Sequence, residues 1–437
     1  MRPSRVLIIG ASVLFCLAVV VAFVPYLETA CLVLAGGLAV CALFDALLVI
    51  IRPRLKFERS YQDRYALGVS TDVQATLTNR SWLRKRVRLY DGLPDDCEHE
   101  QYPYEGLLAP GEYAEISGSL TFKKRGELTI TAAYIEVMSP LSLWWRSGRL
   151  GEEVRVKVYP NYVPALNYGL LATSDRVQQM GIIKKKSRGL SKEFHQLRDY
   201  QDGDQLNTID WKATSRMGRM ISREFQEERD QNVLLVTDCS FRTRAVDGDL
   251  PLLDHLLNAK ILISYMAIKQ GDKVGMMNFG VPAGQHRILP AVSGQSGMSK
   301  VLNHVYDYQS SKSYGEYETL AKRILSQPRK RSLVVILTNL RSEDQHGIVE
   351  ALRLLGQKHL VLLASVRETA VAEILEQPVT TPAQANKYIG ATAYEQDAEQ
   401  IVETLTQQGI AVVRSPIESF AVDLANRYLD LRSEIGG

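Results

Sequence analysis

A chain of 437 residues, 46% hydrophobic and 23% charged, is long enough for two or three domains with their own cores. Its 52 Lys and Arg nearly balance 49 Asp and Glu, a formal charge of +3, which argues against nucleic-acid binding by the chain as a whole. The five cysteines (16, 31, 41, 97 and 239) show no paired spacing, which argues against a disulfide framework and suits a reducing compartment.

Val6 to Val24 is an uncharged apolar run, and Ala30 to Ile51 is a second, interrupted only by Asp45. Each approaches the roughly 20 residues that cross a bilayer. Pro25–Thr29 is too short for more than a turn, so residues 1–54 are expected to form a two-helix transmembrane hairpin. A cleaved signal peptide fits less well, because the second run follows at once without a small-x-small site. Arg2 and Arg5 precede the hairpin, Arg52, Arg54, Lys56 and Arg59 follow it, and the turn has no Lys or Arg. The positive-inside rule then puts both termini and the later domains in the cytoplasm, on the inner membrane. Asp45 lies within two turns of the cytoplasmic end. Water or an arginine is expected to meet it there, with a partner-helix contact as the other reading.

Residues 55–160 alternate polar and apolar with period two, as in Asp72–Thr78, Arg86–Tyr90, Ala114–Phe122, Glu127–Thr131 and Val154–Tyr159. Turn residues separate these runs, which predicts a small antiparallel β-sandwich, immunoglobulin-like in general shape. No catalytic constellation falls in it, and His99 reads as a surface residue. Ser139–Trp145 reads as the end of a core strand, or else as an aromatic anchor at the membrane surface. Residues 161–230 form a linker and a charged segment. Lys184–Lys186 and Arg188 are a solvated loop, or a contact with anionic headgroups.

From Gly189 to Asp230 the 42 residues hold seven Lys/Arg and nine Asp/Glu. That balance points to internal ion pairs. Val233–Val236 then runs into Asp238-Cys-Ser240, a buried strand bringing polar groups to its carboxyl end, where open α/β sheets take ligands. Further apolar runs follow at Val274–Phe279, Leu333–Thr338, Leu360–Val366 and Ile410–Val413. Helical stretches lie between them at Leu252–Lys269, Tyr317–Leu325, Ile348–Leu355, Glu395–Gln408 and Ile417–Leu431. Residues 231–437 are therefore expected to be a mostly parallel sheet wrapped by helices.

The order Gly-Leu-Ser-x-Glu-Phe-x-x-Leu-Arg-x-Tyr-x-x-Gly-Asp from Gly189 to Asp204, followed by Ile209-Asp-Trp-Lys-Ala-Thr-Ser-Arg216, resembles the bacterial "domain of unknown function fifty-eight" family. The resemblance implies that 231–437 is a von Willebrand factor A-like, Rossmann-like domain. Working domains of that type hold a divalent cation through an Asp-x-Ser-x-Ser loop, a Thr and an Asp, oxygen ligands that suit a hard ion. Here Arg242 stands where the second Ser is expected, no Gly-Gly-Thr appears near 313–319, and Asn339 replaces the Asp. No metal is therefore expected, with Asp238 paired to Arg242 and with Asp238 and Ser240 as the remaining ligands should Mg²⁺ bind. Asp238, Ser240, Arg242 and Asn339 would then mark a degenerate, partner-facing rim. Glu193, Arg198, Gly203, Asp204, Asp210, Trp211, Lys212, Arg216, Arg223 and Glu224 are expected to form a network that docks the segment onto the first strand and the β domain, with Trp211 buried beneath. The same residues could instead face a partner. Asn207 stands near the position where the family often has Arg.

No phosphate-cradling loop, His-Glu-x-x-His or Gly-x-Ser-x-Gly occurs, and the seven histidines form no ligand-spaced pair. The expected function is that of a non-enzymatic, membrane-tethered adaptor. The resemblance implies a MoxR-type AAA+ ATPase as partner, sometimes with a transglutaminase-like membrane protein. Two readings stand beside it: a Mg²⁺-dependent adhesion-type domain, and a hydrolase or transferase using the signature carboxylates.

Overall fold

The computed structural model describes residues 1–21, 28–50, 54–164, 167, 192–201, 209–227, 231–328 and 330–435. The chain divides into two compact units, Met1–Tyr159 and Pro160–Gly437.

Two apolar helices open the first unit. α1 (Arg5–Val21) has no charge after Arg5, and α2 (Glu28–Ile50) has none between Glu28 and Asp45. Over Glu28–Leu48, α2 is long and apolar enough to cross a membrane, whereas α1 is a shorter apolar helix of 17 residues. Phe15, Val33 and Leu43 stay more than 60% exposed on them.

Asp45 is fully buried, and the partners it meets among the described residues belong to the Ser139–Trp145 stretch. Its carboxylate accepts from Ser139 Oγ (2.5 Å) and from the backbone N–H of Leu141 (3.0 Å) and Leu143 (3.2 Å). Trp144 Nε1 donates to the Ala42 carbonyl at 2.9 Å. The Ser139–Trp145 stretch is therefore more than a strand end. It is a turn that seats α2, and Asp45 satisfies backbone donors that would otherwise be buried without partners.

Two sheets complete this unit. In one, β1 (Leu55–Ser60) pairs with β2 (Thr71–Asn79), and the sheet continues through the later strand Tyr113–Phe122. β3 (Lys85–Gly92) belongs to the other sheet, while β4 (Tyr113–Phe122) borders Cys97–His99 in the first. The second sheet is built on β5 (Gly126–Met138), flanked by β3, by β6 (Trp144–Leu150) and by β7 (Val154–Tyr159). Phe57 and Leu77 of one sheet and Leu89 and Ile135 of the other share a core, so the two sheets form a sandwich. His99 is exposed, as expected. The inserted strands Arg64–Ala66 and Cys97–His99 are too short to show an alternation.

In the second unit, β8 (Lys192–Asp199) and β9 (Ile221–Glu227) form an antiparallel ladder, with α3 (Trp211–Met217) between them in sequence. A six-stranded sheet follows, built from β10 (Asn232–Asp238), β11 (Lys273–Phe279), β12 (Ile288–Val292), β13 (Leu333–Thr338), β14 (Leu360–Arg367) and β15 (Ala411–Pro416). The strands lie in the order β12-β11-β10-β13-β14-β15, parallel throughout except for the antiparallel edge strand β12.

Alternate side chains of β10 serve the two faces of this sheet. Val233 and Leu235 join Leu256, Ile261, Phe420 and Leu424 on one side. Leu234 and Val236 join Ile324, Leu352, Ile401 and Leu405 on the other. The first layer is α4 (Leu252–Lys269) with α5 (Gly294–Val305) and the C-terminal helix (Ile417–Ile435). The second is α6 (Tyr317–Leu325), α7 (Gln345–Gly356) and the long helix Pro382–Gln407. That long helix starts 13 residues before the expected Glu395, because Thr381 and Gln384 form a capping box with Pro382 at the first turn. Strand order reverses at β10, so Asp238 sits at the topological switch point.

Candidate charge centre at the carboxyl end of β10

β10 runs hydrophobic up to Thr237 and then delivers Asp238, which is fully buried. The chain turns sharply there. Asp238 Oδ1 accepts from the Ser240 N–H at 2.8 Å, and Thr243 Oγ1 donates to the Asp238 carbonyl at 3.3 Å. Gly280, after β11, makes the close approach possible. Its φ is +72°, and a Cβ there would lie 2.6 Å from Ser240 Cβ and 2.9 Å from Asp238 Oδ1.

Arg242 fills the space between the loops. It is fully buried, and its Nε and Nη2 donate to the two oxygens of Asp344 at 2.5 and 2.6 Å. Nη1 donates to Ser240 Oγ at 3.0 Å and to Asp238 Oδ2 at 3.3 Å. The rings of Tyr314 and Tyr317 lie 4.6 and 4.9 Å from the guanidinium carbon. Thr338, at the end of β13, donates to Asp238 Oδ2 at 2.7 Å and exchanges a hydrogen bond with the Tyr317 hydroxyl at 2.8 Å. Two buried carboxylates thus share one guanidinium.

The electrostatics follow. Burial pushes the Asp238 carboxyl above its ordinary range, against the pull of Arg242 and of the Thr338 and Ser240 hydrogen bonds. Burial opposes the charge on Arg242, but the hydrogen bonds to Asp344, then the electrostatic pull of Tyr317 and Asp238, hold its pKa above the usual value.

Above this base lies a half-exposed polar layer. Tyr314, 53% exposed, donates to Asp344 Oδ1 at 2.5 Å and stacks on Phe241. Asn339 is buried and donates to Glu368 Oε1 at 2.6 Å, which also accepts from Arg341 and from the Tyr394 hydroxyl, both at 3.1 Å. A small cavity of about 140 Å³ opens beside Tyr314, lined by Gly280, His286, Glu316 and Arg323. Burial and then the Arg323 charge push the His286 pKa down.

The structure therefore brings Asp238, Ser240, Arg242 and Asn339 together, but it buries all four. They are the foundation of a rim whose reachable groups are Tyr314, Arg341 and Glu368. Asp344 and Tyr314 were not singled out in the sequence. Asp344 lies 102 residues from Arg242, and no local spacing connects them. Among the described residues no group of three His, Cys, Asp or Glu is arranged to hold a metal ion.

The signature segment is laid out differently from the expectation. Asp210 caps α3 by accepting from the Lys212 and Ala213 N–H groups, both at 3.0 Å, and pairs with Arg223 at 2.9 Å. The Ala213 hydrogen bond, then Arg223, holds the Asp210 carboxyl below the usual range. Asp199 pairs with Arg219 at 3.1 Å. Arg198 donates to the Asp199 carbonyl at 3.1 Å, and Lys212 and Arg216 lie on α3. Trp211, expected to be buried, is 66% exposed, because α3 buries none of its residues. Gly203, Asp204 and Asn207 lie outside the described residues, as does Lys184–Arg188. Glu193 and Glu224 are on the paired strands β8 and β9.

Residues 196–413 match the family described as "Protein of unknown function DUF58", so the chain carries a domain of that family. "Uncharacterized protein YeaD" of Bacillus subtilis (strain 168) is 23% identical over 180 residues, 40% of this chain and 41% of that protein. The chain thus spans about two fifths of that relative's length. A FixG-related protein from Vibrio parahaemolyticus is 13% identical, covering 25% of this chain and 98% of its own, with a TM-score of 0.18. The human CEP192 PapD-like domain 7 is 11% identical, covering 24% and 85%, with a TM-score of 0.18.

Proposed function

We propose that this chain is a non-enzymatic, membrane-tethered interaction protein. In this reading its C-terminal domain is von Willebrand A-like and carries its own cation in the form of Arg242. The observation that carries the reading is the fully buried guanidinium, bonded to Asp238 and Asp344 at the switch point where a divalent ion would be held. A guanidinium is permanently charged and planar, so it neutralises facing carboxylates without depending on metal supply. Such a centre fixes loop shape and leaves binding to the surface.

The signature segment favours that surface role. Leu197, Trp211, Met217 and Met220 are 39, 66, 57 and 45% exposed within 24 residues. Large apolar side chains clustered in a short exposed segment are characteristic of interaction sites. Asp199 and Asp210, by contrast, are tied to Arg219, to Arg223 and to backbone N–H groups, which leaves them poor general bases. The partner in this proposal is a MoxR-type AAA+ ATPase. The two apolar helices, with α2 as the stronger span, form the tether, and both soluble units face the cytoplasm.

The test is co-purification of the full-length chain from its native membranes in mild detergent, with mass spectrometry of what comes down. An AAA+ ATPase recovered with the wild type and lost with Trp211→Ala, at unchanged melting temperature, is the expected result. Its absence from both preparations would remove the adaptor reading.

A further inference from the structure

We propose that the first unit carries a binding site for the phosphate of an anionic phospholipid, built where α1 meets the β-sandwich. The proposal rests on the membrane tether described above, and it concerns residues unrelated to the charge centre of the second unit.

A cavity of about 450 Å³ lies there, and four arginines line it: Arg2, Arg5, Arg86 and Arg88. Register explains their convergence. Residues two apart on a strand share a face, so Arg86 and Arg88 of β3 lie together while Val87 and Leu89 enter the core. Arg2–Pro3 pairs with β6 as an added strand, Arg2 opposite Trp145, which brings the start of α1 to the same edge. Ser4 is buried and fixes that start: its N–H donates to the Leu143 carbonyl at 2.8 Å, and its hydroxyl to the Ser142 carbonyl at 2.5 Å.

The charges do not cancel. Arg2 bonds Glu136 at 2.5 Å, and Arg88 faces Glu105 at 2.7 Å while lying 4.8 Å from the Trp145 ring centre. Arg5 and Arg86 have no carboxylate partner among the described residues, and both are exposed. Two guanidinium groups are thus left for an anion. The α1 N-terminus adds a favourable field, with no acidic side chain in its first turn.

The wall of the cavity identifies the source of the phosphate. Val6 and Ile8 line it and are 54 and 52% exposed, and they lead directly into the apolar length of α1. A free phosphate gains nothing from that wall. A phospholipid places its phosphate among the arginines and its acyl chains along α1.

The experiment uses the full-length chain, purified in mild detergent and delipidated. Native mass spectrometry follows titration with dioctanoyl phosphatidylglycerol, dioctanoyl phosphatidylcholine or inorganic phosphate. The wild type should bind phosphatidylglycerol in preference to phosphatidylcholine. Arg5→Gln/Arg86→Gln should weaken that binding about 25-fold, at about fivefold per arginine. Arg86→Lys, which keeps the charge, should weaken it far less than Arg86→Gln. Equal affinity in wild type and double variant, or no preference between the lipids, overturns the proposal. Displacement of the lipid by equimolar inorganic phosphate assigns the site to a soluble phosphate and overturns the lipid. Alkaline carbonate washing of membranes separates this from the tether. Retention of wild type and variants in the pellet upholds the tether whatever the lipid result, and release of the wild type overturns the tether itself.

Discussion

Replacing Arg242 by Met tests the charge centre through its cost. The side chain is fully buried, contacts both carboxylates, and lies against two tyrosine rings. Methionine fills much of the volume but leaves Asp238 and Asp344 facing each other without a counter-charge. Breaking a buried pair in this way costs about 3–5 kcal/mol. For a unit of this size, at roughly 2–4 °C per kcal/mol, the melting temperature should fall by about 10 °C. The pH dependence gives a sharper reading. Burial already raises the folded-state pKa of Asp238 above its ordinary value of 3.8, and Arg242 holds that rise in check. Without Arg242 the folded pKa climbs further, so the folded state binds protons that the unfolded state has released. Stability then falls as pH rises through that widened window. The deficit of Arg242→Met should be largest at pH 7 and shrink towards pH 5, as read by urea denaturation at each pH. Adding Asp344→Leu should recover part of the loss. A loss below about 1 kcal/mol, or a deficit that grows towards pH 5, would mean that Arg242 does not neutralise the two carboxylates.

Three further outcomes follow from the same geometry. Lys260 is fully buried with Thr237 Oγ1 at 2.7 Å as its hydrogen-bond acceptor, and burial pushes its pKa down to about 7. The unfolded chain then binds the extra proton between about pH 7 and 10.5, so stability should rise with pH across that window. Lys260→Met should abolish the slope and add roughly 2 kcal/mol at pH 6, net of the orphaned Thr237 hydroxyl; an unchanged slope in urea titrations would count against the assignment. Gly280→Ala should cost more than about 2 kcal/mol, because its Cβ collides with Ser240. Gly284→Ala, at φ +85° with nothing within 4 Å, should cost only about 1 kcal/mol. Equal melting shifts for the two would contradict the close approach. Asp45→Leu orphans the Leu141 and Leu143 N–H groups and should cost about 3 kcal/mol, making the 139–143 turn cleavable by protease. A protected turn would refute the clamp.

How much of this was legible in the sequence depended on whether the signal was local. Leu333–Thr338, Leu252–Lys269 and Tyr317–Leu325 occupy the residues expected, since their apolar periodicity is complete within one element. The edge strand Ile288–Val292 was missed, because Pro290 and its mostly exposed side chains mask the strand pattern. The substitution of Arg242 for the expected Ser was visible, and so was a pairing with Asp238 four residues away. The stronger partner, Asp344, was not visible, because only the fold brings β10 and the loop after β13 together. The surroundings of Asp45 were not visible for a related reason: its partners, the Ser139 hydroxyl and two backbone N–H groups, lie nearly 100 residues on. Trp211 was expected in a core on residue type alone, yet it sits on a short helix whose own residues are not buried.

Arg242 is proposed to stand where a cation would be held. The most direct test is thermal melting of the wild type and of Arg242→Ser, each in Mg²⁺ and in EDTA. The wild type should be indifferent to Mg²⁺. The variant should be destabilised in EDTA and regain several kcal/mol as Mg²⁺ saturates the vacated carboxylates, about 2.7 kcal/mol at 100-fold excess over Kd. A wild type whose melting temperature rises with Mg²⁺ and falls with EDTA would contradict this placement and restore a metal-dependent adhesion site.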